Sequence, residues 1–144
     1  MDVALHPDYA KNGWIYLSYA DPGTKGASMT TIVRGRVLHG RWVDQETLFK
    51  AAADLYWADD THFGSRFLFD EENRLFYSIG DRGHQDEAQD LSRPNGKIHR
   101  ITDDGQIPKD NPFVGRAGAL RSIWSYGNRN PQGLASHPVT GALW

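Results

Sequence analysis

One structural plan recurs three times along this chain, at intervals of about 65 residues. The copies are ALHPDYAKNGWIYLSY (Ala4–Tyr19), RFLFDEENRLFYSIGD (Arg66–Asp81) and GLASHPVTGALW (Gly133–Trp144). Each reads as a short apolar strand, a polar turn carrying Pro or Asp, and an aromatic-rich strand suited to a pleated surface. The intervals leave room for two further strands and a long loop. The spacing predicts those strands at Thr30–Leu38 and Trp42–Phe49, joined by a turn at His39-Gly40, then at Lys97–Ile101 and Ser122–Tyr126. Ala51–Tyr56 is long enough for a helical turn only, and no stretch predicts a full helix. Four strands per recurring unit is the sequence form of a β-propeller blade. An all-β sandwich whose hairpins resemble one another is the alternative.

Two complete repeats and the start of a third do not close a propeller, which takes roughly four to eight blades. The expectation is therefore an all-β chain whose residues 1–144 form one partial propeller domain, about two blades plus the start of a third, incomplete at both ends.

Composition removes several classes of function. The net charge of −2 gives no broad attraction for nucleic acid or an anionic membrane, and none is expected as a partner. There is no cysteine, so disulfides and thiolate metal sites are excluded. No run approaches the roughly 20 apolar residues of a membrane span, and no export signal is visible. GxSxG, GxxxxGK[ST], HExxH and a strand-linked GxGxxG are all missing, which removes the usual support for hydrolase, nucleotide-binding and zinc-protease readings.

Three segments could carry chemistry. His62, in THFGSR just before a strand, is a candidate general base, with Gly64 and Ser65 small enough to admit a ligand; a loop histidine bonded to a neighbouring carbonyl is the plainer alternative. In SYGNRNPQG (Ser125–Gly133), Arg129 supplies a planar cation and Asn130 both a donor and an acceptor, beside Trp124 and Tyr126. Such a turn suits a flat polyanion, or it simply joins two blades with its Arg paired to an acid. The third segment holds Asp81, Asp86, Glu87 and Asp90, an acidic group without the register of an EF-hand, read as a solvated loop rather than a calcium site. His6, His39, His84, His99 and His137 have no metal-ligand spacing and read as structural or solvated.

Taken in order, DVALHPDYAKNGWIYLSY, HFGSR, YSIGDRG, AQDL…GKIHRI, GQIPKDNPF and IWSYGNRNPQGLA resemble the soluble glucose and aldose sugar dehydrogenases that use pyrroloquinoline quinone (PQQ), the glucose/sorbosone dehydrogenase family. The resemblance runs from Asp2 to Trp144 and is nearer the aldose sugar dehydrogenase branch. It implies a six-bladed propeller with PQQ on one face, partly held by calcium whose ligands lie outside this segment, so no metal ligand is assigned here. It implies His62 as the base for the anomeric hydroxyl, Arg129 beside the reactive quinone oxygen and Asn130 as a cofactor contact. Substrate would be an aldose, product a lactone, and electrons would leave to an external acceptor. A periplasmic or secreted address goes with the family.

Two departures stand out. The acid that the glucose dehydrogenases place before the base is Thr61 here, and the sugar-contacting glutamine past the IGD turn corresponds to Gln85 or Asp86. These residues alone are not expected to oxidise sugar. A non-catalytic binding propeller of the same superfamily and a calcium-dependent lactonase-type propeller are the alternatives, and the sequence does not specify the sugar, the acceptor or the oligomeric state.

Overall fold

The computed structural model describes all residues, 1–144. Eight strands form two antiparallel meanders. The first sheet runs β1 (Asp2–Leu5), β2 (Ile15–Pro22), β3 (Ser28–Leu38) and β4 (Arg41–Phe49) in that spatial order. The second runs β5 (Phe67–Phe69), β6 (Leu75–Ile79), β7 (Lys97–Ile101) and β8 (Ile123–Tyr126). These are two blades of a β-propeller. The third copy of the repeat folds back on itself at an isolated bridge between Ser136 and Leu143, as the first hairpin of the next blade would.

The recurring plan has a visible physical basis in its turns. His6 Nδ1 accepts from the Asp8 N–H at 2.9 Å, Asp70 Oδ1 accepts from the Glu72 N–H at 3.0 Å, and His137 Nδ1 accepts from the Val139 N–H at 3.2 Å. A side-chain acceptor two residues ahead of the donor is what shapes an Asx-type turn, and imidazole serves here in place of carboxylate. His6 and His137 are thus structural. One helical turn, α1 (Tyr9–Asn12), sits inside the first of these connections and ends at Gly13, whose φ of 69° makes the left-handed cap.

The core lies between the blades. Tyr16, Met29 and Ile32 of the first sheet pack on Phe67, Leu75, Tyr77, Ile79 and Ile101 of the second, and all are buried. β6 is covered on both faces, so each of its five residues is buried. Polar links reinforce the contact: Asp2 Oδ2 accepts from the Phe67 N–H at 2.9 Å, and the Tyr16 hydroxyl donates to the Asp103 carbonyl at 2.8 Å.

His99, on β7, is fully buried and stacks on Tyr77 with ring centroids 4.9 Å apart. The Pro94 carbonyl, an obligate acceptor, lies 3.0 Å from Nε2, so that nitrogen carries the proton and Nδ1 accepts from the Ser122 hydroxyl, also at 3.0 Å. Burial, with a smaller push from Lys97, lowers the imidazole pKa to about 4. An unfolded histidine titrates near 6.5, so between that pH and about 4 the unfolded chain binds a proton that the folded chain refuses. Stability is therefore lost as pH falls across that window, by roughly 3 kcal/mol in full. Urea unfolding of the native chain and of His99→Gln at pH 7.5 and pH 4 checks this. The native chain should lose about that much more than the variant; equal losses would rule it out.

Candidate active site

In an antiparallel meander the start of β5 and the ends of β6 and β8 lie at the same edge of the sheet. That geometry gathers three connections: Thr61–Ser65 entering β5, Gly80–Gly83 leaving β6, and Gly127–Pro131 leaving β8. His62 and Arg129 flank one blade, the second, because the chain enters it at His62 and leaves it at Arg129.

His62 adopts a φ of 50°, unusual for a side chain with a Cβ, and its ring is 20% exposed. Nδ1 lies 2.7 Å from Asp81 Oδ1, and the Asp81 side chain is only 4% exposed. The same oxygen accepts from the Gly83 N–H at 2.9 Å. An ionised carboxylate can only accept, so Nδ1 carries the proton and Nε2, which has no protein partner, keeps its lone pair for a ligand. Two alternatives raised by the sequence are thereby corrected. His62 is not bonded to a neighbouring carbonyl, and Asp81 does not belong to a solvated acidic loop.

The backbones of the three connections are interlocked. The Asp81 N–H donates to the Arg129 carbonyl at 2.7 Å, and the Gly64 N–H donates to Asn130 Oδ1 at 3.0 Å. A Cβ on Gly80 would stand 2.1 Å from the His62 carbonyl oxygen and 3.1 Å from that of Arg129. Gly80 is thus the floor on which both segments rest. Fixed at its backbone, Arg129 leaves its guanidinium free of any hydrogen bond or ion pair, and the Asn130 amide N–H2 is likewise unpartnered.

Arg129, Asp81, Gln85 and Asp86 line one polar cleft of about 350 Å³ with Ala88, Gln89, Gly127 and Asn128. His62 is not in its lining; Asp81 in the cleft wall connects the two. Gln85 and Asp86 are both exposed on a single 3-10 turn, Gln85–Ala88. Lys97 pins that turn. Its buried ammonium donates to the carbonyls of Glu87 at 2.9 Å, Ala88 at 3.0 Å and Asn95 at 2.6 Å. Burial pulls the Lys97 pKa down to about 8, so the group still carries its proton at neutral pH.

A larger cleft of about 590 Å³ opens at the opposite edge of the blade, against the Ser136–Leu143 hairpin. The cations there are neutralised: Arg74 Nε lies 2.7 Å from Asp70 Oδ2, and Arg100 Nη2 lies 2.8 Å from Asp110 Oδ1. No candidate residue reaches it. The acidic segment holds no metal arrangement either, since no three His, Cys, Asp or Glu side chains converge. Besides Asp81, Asp90 is occupied by its own turn, where Oδ1 accepts from the Ser92 N–H and hydroxyl at 2.8 Å each.

Asp81, Gly80 and Lys97 were not predicted as site residues. The sequence marks the first two by their place in YSIGDRG, and Asp81 also as one of four nearby acids, but nothing in one sequence ties that segment to a histidine 19 residues earlier.

The family model for glucose/sorbosone dehydrogenase matches residues 1–144. The aldose sugar dehydrogenase of Escherichia coli is 42% identical over all of this chain and 39% of its own length. The soluble aldose sugar dehydrogenase structure from the same organism, in its apo form, superposes with a TM-score of 0.91 at 41% identity, covering 100% of this chain and 42% of that one. The PQQ-bound aldose sugar dehydrogenase of Streptomyces coelicolor gives a TM-score of 0.80 at 29% identity, over 98% of this chain and 39% of that one. The chain thus spans about two fifths of the length of these relatives. On the strength of the whole-length family match, the shared two-blade fold and the level of identity, the chain belongs to the glucose/sorbosone dehydrogenase family.

Proposed function

We propose that this chain contributes the base and part of the cofactor seat to a PQQ-dependent dehydrogenase that oxidises aldoses at C1 to lactones and passes electrons to an external acceptor. The observation carrying this reading is the His62–Asp81 pair, with Nε2 free, set against a cleft holding an unpaired guanidinium.

The donor set fits the cofactor. Arg129 on the cleft wall, and the Asn130 amide next to it in the chain but outside that lining, are unpartnered donors suited to the carboxylates and carbonyl oxygens of PQQ. Asp81 and Asp86 would repel a polyanion, while Gln85 and Asp86 suit sugar hydroxyls, so the cofactor belongs at the Arg129 side and the sugar at the other. A bound quinone would supply the two-electron acceptor for the hydrogen leaving the sugar's C1. His62 Nε2 takes the proton from the anomeric hydroxyl. Asp81 holds the ring in the tautomer that can accept it and stabilises the imidazolium that results. The Arg129 cation, exposed on the cleft wall, would stabilise negative charge on a bound ligand oxygen beside it. An address outside the cytoplasm belongs to the same reading and is checked by cell fractionation.

The test is retention of PQQ absorbance by the full-length protein after gel filtration, followed by dye reduction on adding an aldose. Arg129→Ala should weaken PQQ binding by roughly tenfold or more, the worth of one charge-assisted contact. A full-length protein that retains no PQQ, or loses none on that substitution, removes the reading.

A further inference from the structure

Arg82 is the largest fully buried side chain in the molecule, and it carries a charge. No carboxylate pairs with it. Its acceptors are backbone carbonyls: Nε donates to Thr61 at 2.8 Å, Nη1 to Ser28 at 2.6 Å, and Nη2 to Asp59. The flat face of the guanidinium lies 3.8 Å from the centre of the Phe63 ring. Its own φ is 56°, a second left-handed residue beside a site that already holds His62 at 50°. Burial alone pulls its pKa down, against weaker help from Asp59 and Asp60. A desolvated cation without a counter-ion is a poor device for stability, since an apolar side chain of similar volume serves better. Backbone in sparsely populated regions persists only when its surroundings over-determine it.

The contacts of Arg82 share one object. Thr61 precedes His62 and Phe63 follows it. Asp59 lies on the same connection, and Ser28 in β3 ties the assembly to the first blade. Three consecutive residues thus seat one imidazole: Gly80 supplies the floor under the His62 carbonyl, Asp81 holds the ring, and Arg82 grips the chain on either side.

We propose that Arg82 is the positioning residue of the His62 base, fixing the backbone conformation that delivers the ring to Asp81. This deepens the dehydrogenase reading and rests on His62 being its base. A lysine cannot substitute, because a point charge on a flexible stem does not meet three divergent carbonyls while covering a ring.

The test follows the His62 imidazole by NMR in the chain labelled at histidine, where the Nδ1–H held by Asp81 gives a protected downfield proton. Arg82→Lys and Arg82→Met should broaden or abolish that signal while far-UV circular dichroism stays native. Asn111→Ala is the control: it removes a buried amide that donates to the Arg100 and Arg121 carbonyls at 2.9 Å each, at the far edge of the same blade, and should leave the signal in place. In the loaded full-length protein, Arg82→Lys should lower kcat by about 100-fold with KM little changed, the cost of a base about 1 Å out of place. A His62 signal that survives both Arg82 substitutions, or vanishes equally in Asn111→Ala, overturns the proposal. If neither Arg82 variant folds, Phe63→Leu decides: it deletes the stacking face and keeps the guanidinium bonds, and an unchanged signal overturns the idea while a broadened one supports it. An Arg82-dependent signal in a protein that oxidises no sugar would sustain the positioning role and sink the dehydrogenase reading instead.

Discussion

Asp81→Asn is expected to reduce aldose turnover by the full-length protein roughly 10²–10⁴-fold while leaving the fold and PQQ binding intact. The substitution is isosteric, and Asp81 Oδ1 serves two donors, the His62 Nδ1–H at 2.7 Å and the Gly83 N–H at 2.9 Å. An asparagine has two ways to sit there and both fail. With its oxygen toward His62 it keeps both bonds, but the negative charge that stabilises the imidazolium is gone. With its amide turned inward it donates to Nδ1, which forces the ring proton onto Nε2, and the nitrogen facing the sugar then becomes a donor instead of a base. PQQ binding should not weaken, because Arg129 is held by the Asp81 backbone N–H rather than by its carboxylate, and the charge removed is one that repels a polyanion. The comparison needs kcat, PQQ titration and a thermal melt on the same preparation. Turnover within tenfold of the native protein would show that Asp81 is not what makes His62 a base.

Strands were legible in the sequence where aromatic and β-branched residues cluster between strong turns. Leu75–Ile79 and Lys97–Ile101 lie where the pattern put them, and the other main strands differ by no more than a few residues at their ends. β2 runs on to Pro22 because the Gly23–Ala27 turn folds it back onto Ser28, an extension that composition does not announce. The turn of helix at Tyr9–Asn12 escaped because four residues carry no period; only Gly13 marks it. His62, Arg129 and Asn130 were legible as residue types at strand mouths. What brings them together was not. Asp81 reads as one of four nearby acids, and its withdrawal from them into the His62 bond depends on β6 ending at the edge where β5 begins, a fact of sheet register. Arg82 carries no signal in the sequence, and its burial depends on carbonyls from two segments, Asp59–Thr61 and Ser28 of β3, converging on it.

Gly80→Ala should be severely damaging, and Gly83→Ala, three residues on, should be nearly harmless by comparison. Conformation alone argues the reverse. Gly83 has a φ of 82°, where a side chain is strained, whereas Gly80 does not occupy that region. Space decides it. At Gly83 the new methyl would meet only the Thr61 Cγ2 at 3.5 Å, an ordinary contact, so the cost is the backbone strain of roughly 1 kcal/mol. At Gly80 the methyl would stand 2.1 Å from the His62 carbonyl oxygen and 2.7 Å from its carbonyl carbon. Those are backbone atoms, and neither wall can yield cheaply: the His62 segment is held through Asp81 and Arg82, and the Arg129 carbonyl opposite accepts the Asp81 N–H at 2.7 Å. Prying the two connections apart costs about 3 kcal/mol or more, which in a chain of this size lowers Tm by roughly 10 °C. Because the displaced atoms belong to His62 and Arg129 themselves, the surviving folded protein should also lose the protected His62 N–H proton and bind PQQ more weakly, effects that Gly83→Ala should not share. Thermal melts of the two variants side by side settle the order; a Gly80→Ala chain that melts as high as Gly83→Ala would mean that the floor beneath the base is soft and that the site is not preorganised by its backbone.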